Sequence, residues 1–431
     1  MTRMSLLIGL IGLSSLVHAE TYLIENVRIF NGVDDKLTAG HVLVEDGVIA
    51  RISKDSIEIP EGANVIDGGN RVLSPGFIDL HVHLSSHIES GQLDAYNVIH
   101  SAFAMKAAKH WLDSGFTTIR DAGGTHPYIA RAINLGSFPG PRVFPSGAYL
   151  SQTAGHGDFR SPNEPNPTLE GGSHYLYAGS TVLTDGVPQH LAAARENLRF
   201  GATQIKIMGG GGVMSEYDPI HSLQPSPEEI RAAVQAASDW GTYVHAHAYT
   251  SDAVRRLVEN GVRCIEHGLL IDDATAKYVK DNDVVISTQL VIYRELQNLE
   301  GISDTNLEKL EVVLKGQENL VRLIKKYDIM TGFSTDLISG MYNLLTREFT
   351  ERALYWTPAE VMRQATSESA KVIRMSGKLN RHGNFGEIRE GWLADLVLIE
   401  GEPLEDISVL RAPEENLALI MKGGEVYKSI L

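Results

Sequence analysis

Gly76-Phe77-Ile78-Asp79-Leu80-His81-Val82-His83 is the stretch from which the rest of the chain can be read. It is an apolar run of strand length that ends in two histidines two positions apart. Side chains alternate along a strand, so His81 and His83 are expected to leave its C-terminal end on one face. Further runs of this kind are predicted at 117–121, 142–148, 204–208, 243–247, 263–267, 284–288 and 329–335. Amphipathic helical segments separate several of them, as at 252–260 and 305–327. Eight strand–helix alternations predict an α/β fold, a (β/α)8 TIM-like barrel over residues 76–380.

Such barrels carry their chemistry at the C-terminal strand ends, and polar residues collect there in this sequence. After His81 and His83 come Lys206 in Gln204-Ile-Lys-Ile-Met208, His245-Ala-His247, Glu266-His267 and Thr335-Asp336. Each group alone is weak evidence, because a short pair such as His-x-His is usually incidental. Together, His81, His83, Lys206, His247, His267 and Asp336 place six metal-competent groups at the ends of five strands. A lysine flanked by isoleucines in a central strand is costly, since burial strips its ammonium of water. Carbamylation by carbon dioxide would turn Lys206 into an anionic ligand able to bridge two divalent ions. Imidazole and carboxylate without thiolate suit zinc first, with manganese, cobalt or iron next.

Outside the barrel the texture differs. Residues 20–75 and 381–431 read as short strands with hairpin turns at Glu45-Asp-Gly47 and Lys422-Gly-Gly-Glu425. They are expected to form one small β-sandwich domain from both termini. Residues 1–19 have one positive charge at Arg3, a short apolar run and a Val17-His-Ala19 ending, the pattern of a secretory signal peptide. The expectation is export to the periplasm or medium, without a stable membrane anchor.

Composition narrows the function further. The chain has 431 residues, 54 acidic against 38 basic, and a formal charge of −16, which argues against a nucleic-acid partner. Its single cysteine, Cys264, excludes a disulfide framework or a four-cysteine zinc site. By alternation Cys264 should face away from His267, toward the helical layer. Gly209–Gly212 lacks the Gly-Lys-Ser/Thr of a phosphate loop and reads as room for close backbone approach.

These motifs resemble the amidohydrolase superfamily over nearly the whole chain after residue 19. Val72–His83 resembles its entry into the first strand, and Gly386-Glu-Ile-Arg-Glu-Gly391 with Ala394-Asp-Leu-Val-Leu398 its return to the β domain. Thr118–Gly124, Lys206–Ser215, His247-Ala-Tyr-Thr250 and Cys264–Gly268 resemble the branch of imidazolonepropionase-related dipeptidases and ochratoxin-hydrolysing amidohydrolases. The resemblance implies a homo-oligomeric hydrolase with two divalent ions sharing a hydroxide that attacks an acyl–amino-acid or dipeptide amide. It assigns His81, His83 and Asp336 to one ion, His247 and His267 to the other, and carbamylated Lys206 to the bridge. Asp336 would move the proton, and His245, which also faces inward, would stand behind the ligands beside the substrate, as the alternative to His247 for the strand-5 ligand. Substrate contacts are expected from His156, Tyr217, His221 and Arg120, with Arg294 a further anion candidate. A lactonase on the same scaffold, or a non-catalytic metal-binding protein, are the alternatives. Lys206 counts against the mononuclear deaminases.

Overall fold

The structure, a computed structural model, describes residues 20–85, 96–171, 174–176, 179–338 and 340–431. The signal-peptide expectation falls on residues 1–19, outside the described set. Among the described residues no helix is long and apolar enough to cross a membrane.

Five strands come first: β1 (Tyr22–Ile29), β2 (Thr38–Glu45), β3 (Val48–Ser53), β4 (Asn64–Asp67) and β5 (Val72–Pro75). Then follow β6 (Phe77–Val82), β7 (Phe116–Asp121) and β8 (Arg142–Pro145), with the short β9 (Tyr149–Ser151), β10 (Tyr175–Leu176) and β11 (Thr181–Leu183) beside them. β12 (Ile205–Met208), β13 (Val244–Thr250), β14 (Cys264–Leu270) and β15 (Val285–Ser287) continue the series. The chain closes with β16 (Leu396–Ile399), β17 (Leu417–Lys422) and β18 (Glu425–Ser429).

The terminal strands pair as one sheet in the order β18-β17-β16-β5-β1-β2-β3, with β4 on β1. Asp46-Gly47 and Gly423-Gly424 turn their hairpins with positive φ at both positions, the backbone twist that two-residue turns require. The sheet curls until these turns meet: a Cβ on Gly47 would lie 2.7 Å from the Gly423 carbonyl oxygen. Ile24, Val42, Ile49, Leu396, Leu419 and Met421 fill the space between the curled ends.

The barrel strands run parallel, β6–β7–β8 in one ladder and β9–β12–β13–β14–β15 in another. The predicted eighth strand forms no regular ladder. It closes the barrel through single bonds, Ile286 N to Met330 O at 3.1 Å and Leu80 N to Phe333 O at 2.9 Å. Its other donors are diverted: Phe333 N reaches Gln364 O (3.1 Å) and Ser369 Oγ (2.9 Å). The helix predicted over 305–327 is two helices, Asp304–Leu314 and Gln317–Tyr327. They break at Gly316, where a Cβ would lie 2.0 Å from the Leu269 carbonyl oxygen.

Barrel and terminal sheet are tied by a buried ion pair, Arg142 Nη1 to Asp395 Oδ2 at 2.5 Å. Asp395 also accepts from Gly423 N at 2.7 Å. Asp395→Asn should leave the Arg142 charge buried without its partner, at a cost of about 3 kcal/mol. A lowered denaturant midpoint with an unchanged metal content is the expected result; an unchanged midpoint would count against this tie.

Candidate active site

The cavity at the barrel mouth is built from strand ends that leave regular geometry. β6 carries a one-residue bulge between Asp79 and Val82 relative to β7. Leu80 therefore joins Ile78 in the inner apolar cluster, while His81 and His83 stand at the mouth. Asp79, fully buried, fixes this turn by accepting from His81 N (3.0 Å), Thr335 Oγ1 (2.6 Å) and Trp111 Nε1 (3.0 Å). His267 and Asp336 hold positive φ, +76° and +55°. Such backbone costs about 1–3 kcal/mol for a residue other than glycine and is found where neighbours enforce it. Here Asp336 N donates to the His81 carbonyl at 2.8 Å, tying the end of the closing segment to β6.

His81, His83, Lys206, His247, His267 and Asp336 all line one cavity of about 320 Å³. Its tightest group is His81, His83 and Asp336. The two Nε2 atoms are 3.1 Å apart, and they lie 3.2 and 3.3 Å from Asp336 Oδ1. The other ring nitrogens are committed as donors. His81 Nδ1 is 2.7 Å from Glu266 Oε2, and His83 Nδ1 is 2.7 Å from the Gly123 carbonyl. Both acceptors lack a proton to give, so each Nδ1 carries the hydrogen and each Nε2 keeps a bare lone pair. Two lone pairs facing each other beside a carboxylate fit a cation between them.

The same holds on the other side. His267 Nδ1 lies 2.7 Å from Gln289 Oε1 and 2.6 Å from the Tyr293 hydroxyl, leaving Nε2 bare. His247 Nε2 lies 3.2 Å from the Gly211 carbonyl, leaving Nδ1 bare. Burial holds three of the imidazoles neutral, His81 down to about 4, His267 down to about 3 and His247 well below its ordinary value, whereas at His83 the Asp336 carboxylate outweighs burial and raises the pKa. For Asp336 burial works upward, but His81, His83 and His267 outweigh it and hold the carboxyl well below its ordinary value. Lys206 is buried, and burial lowers its pKa. Among the described residues no carboxylate lies within salt-bridge distance of it. The His81, His83 and Asp336 cluster thus fits a divalent ion, and Lys206, His247 and His267 line the same cavity.

The chain matches the family description "Amidohydrolase family" over residues 72–427. It is an amidohydrolase. Ochratoxinase from Aspergillus niger is 30% identical over 423 residues, covering 92% of this chain and 84% of that one. A prolidase solved with N-methylphosphonate-L-proline is 33% identical with a TM-score of 0.87, covering 95% of this chain and all of that one. A Xaa-Pro dipeptidase with methionine in its active site is 26% identical, with a TM-score of 0.82, and covers the same shares. The (β/α)8 expectation holds, and this amidohydrolase is a hydrolase of amide bonds from a metal-dependent family.

Not every predicted substrate contact reaches the amidohydrolase cavity. His156 does, stacked on His247 with ring centroids 4.1 Å apart and its Nδ1 2.7 Å from Ser215 Oγ. Gly212 makes this possible: a Cβ there would lie 1.8 Å from His156 Nδ1. His245 lies deeper, with Nδ1 at 2.8 Å from Glu266 Oε1 and Nε2 at 3.0 Å from Ser146 Oγ, so both nitrogens are occupied. Arg120 is a correction. It lies fully buried inside the barrel, 2.5 Å from Glu266 Oε1 and 2.6 Å from the Leu80 carbonyl, away from the cavity. Tyr217 and His221 are also corrected: both are exposed on the loop after β12 and do not line the cavity. Arg294 is held by Glu351 at 2.7 Å. Cys264 faces the barrel interior, not the helices, 3.4 Å from Glu266 Oε1. Alternation does carry Cys264 and Glu266 to one side, but the positive φ at His267 brings that residue to the mouth as well.

Glu266, Gln289 and Tyr293 were not singled out from sequence. Glu266 is fully buried; Arg120, His81 and His245 outweigh burial and hold it well below the ordinary carboxylate range. It fixes the ring of His81, as carboxylates behind metal-binding histidines do.

Proposed function

We propose that this amidohydrolase cleaves the amide between an apolar acyl or aminoacyl group and an amino acid, as a dipeptidase or carboxypeptidase-like enzyme whose substrates include ochratoxin A. The observation that carries this is the convergence of four bare imidazole nitrogens, Asp336 and Lys206 on the floor of one cavity. The named activities of the ochratoxinase and prolidase relatives point the same way.

His81, His83 and Asp336 would hold one ion, His247 and His267 the other, and Lys206 as its carbamate would bridge them. Zinc fits this nitrogen and oxygen set. Bound there, the ions would supply hydroxide at neutral pH and polarise the scissile carbonyl. Asp336 takes the proton released on attack and returns it to the leaving nitrogen, the group that most needs it in amide cleavage. The Tyr249 and Tyr293 hydroxyls, 3.2 Å apart, stay protonated because burial pushes both phenols up, and serve as donors beside the reacting group. His156 packs His247 in place. Export by residues 1–19, with a mature chain starting at Glu20, is part of the same reading.

The test is a panel of N-acyl amino acids, Xaa-Pro dipeptides and ochratoxin A with zinc-supplemented protein, following amino-acid release. Release from at least one class and close to two zinc ions per chain are expected. No release from any member would sink the proposal.

A further inference from the structure

The loop after β12, residues 209–218, stands beside half of the donor set. Its Gly211 carbonyl lies 3.2 Å from His247 Nε2, which leaves Nδ1 as the free lone pair. Its Ser215 Oγ lies 2.7 Å from His156 Nδ1. Between them, Val213 and Met214 line the cavity. The loop passes so close only because Gly211 has no side chain: a Cβ there would lie 2.0 Å from the Pro219 carbonyl oxygen. Glycine also leaves the backbone its widest freedom, so the shape of this loop has to be imposed from outside.

Helix Asp304–Leu314 imposes it. Ser303 caps this helix by accepting from Asn306 N at 3.2 Å, and its Leu310 and Val313 are buried. Asn306 continues that buried stripe at helical spacing, and Lys309 stands one turn after it. Lys309 Nζ donates to the Ser215 carbonyl at 2.5 Å and to the Gly212 carbonyl at 3.2 Å. The amide nitrogen of Asn306 donates to the Val213 carbonyl at 2.9 Å and to the Ser215 carbonyl at 3.1 Å. Asp218 is buried under the same loop, and its Oδ2 accepts from Gly212 N at 2.8 Å. Its Oδ1 has no hydrogen-bond partner among the described residues and faces Lys309 Nζ at 3.7 Å. An ammonium carries three donors, and two carbonyls and a carboxylate surround this one.

We infer that Lys309 is a positioning residue for the half of the metal centre that contains His247: its ammonium fastens the carbonyls of the loop after β12, and through Gly211 that loop sets the His247 ring. The inference rests on the two-ion reading above and adds to it a residue that touches neither ion nor substrate. A carbonyl behind a metal-binding histidine fixes the ring, and losing such a partner costs about 10–100-fold in metal affinity or activity. His81 and His83 are held by other groups, namely Asp79, Glu266 and the Gly123 carbonyl. Loss of Lys309 therefore weakens one ion and spares the other.

The test is zinc binding by Lys309→Met and by the wild type, read by equilibrium dialysis over a series of zinc concentrations and so independent of turnover. In the variant the first ion is expected to bind as in the wild type, and the second about tenfold to a hundredfold more weakly. At limiting zinc kcat/KM should fall by a similar factor, and excess zinc should restore most of it. Lys309→Met leaves the buried Asp218 without the charge that faces it. The double variant Lys309→Met/Asp218→Asn removes the strap without that unpaired carboxylate, and carries the test if the single variant does not fold. Two ions bound as tightly as in the wild type would overturn the inference. Equal weakening of both ions would overturn it too, because a general loosening of the barrel does not choose between them. A wild type that binds two ions but cleaves nothing in the substrate panel would remove the amide-hydrolase reading and leave Lys309 to be judged on the dialysis. A wild type that binds a single ion would remove the two-ion reading, and this inference with it.

Discussion

Asp336→Asn should abolish turnover, lowering kcat by about 10³ or more, while the fold and most of the bound metal survive. The backbone at 336 has a φ of +55°, a conformation asparagine adopts as readily as aspartate, so the exchange adds no strain. Its N–H still reaches the His81 carbonyl at 2.8 Å. One side-chain oxygen remains to face His81 and His83. What disappears is the negative charge and the ability to carry a proton. The neighbouring imidazoles hold the Asp336 carboxyl ionised far below neutrality, so it is ready to receive a proton at the start of each cycle. An amide in its place can neither accept nor return one. Wild-type-like turnover in Asp336→Asn would end its assignment as the proton carrier.

Lys206→Ala should have an effect of the same size for a different reason. Lys206 is buried in the cavity that the donor set lines, where the ammonium form is disfavoured by burial. If it acts as an anionic bridge, its removal should drop metal content from about two ions per chain toward one. Losing several kcal/mol of charge stabilisation would lower kcat/KM on the order of 10³. The variant leaves a gap as long as the lost side chain, so a short carboxylic acid such as acetate or propionate can take the carbamate's place. Partial recovery of activity and metal content with added acid is expected. Recovery with a short alkylamine and none with acid would show that Lys206 works as a cation and would overturn the carbamate assignment. Removing a buried charge should not itself unfold the chain, since no salt-bridge partner is left behind.

The barrel could be read from the sequence because its signal is local. Apolar runs of strand length, helical periods between them and polar residues at their ends are all set by neighbours within a few positions. The eighth strand shows the boundary of such reading. Its composition is strand-like, but Phe333 and Thr335 give their backbone donors to Ser369, Gln364 and Asp79, so no ladder forms. The helix over 305–327 fails at Gly316 for a reason no local pattern contains, the approach of the Leu269 carbonyl.

The sequence by itself determined which side chains reach the barrel mouth: His81, His83, Lys206, His247, His267 and Asp336. Strand ends and alternation are enough for that. Only the tertiary structure decided what stands behind and around them. Glu266 and His81 are 185 positions apart, and Arg120 and Glu266 146, so their contacts depend on how the barrel closes. The bulge in β6 and the positive φ values at His267 and Asp336 break the alternation on which a face can be predicted. The positive φ at His267 is why it reaches the mouth although Cys264 and Glu266 of the same strand also face inward. The apolar wall residues Phe159, Met214, Leu296 and Ile338 come together by the same closure, from three loop segments and one helix far apart in sequence.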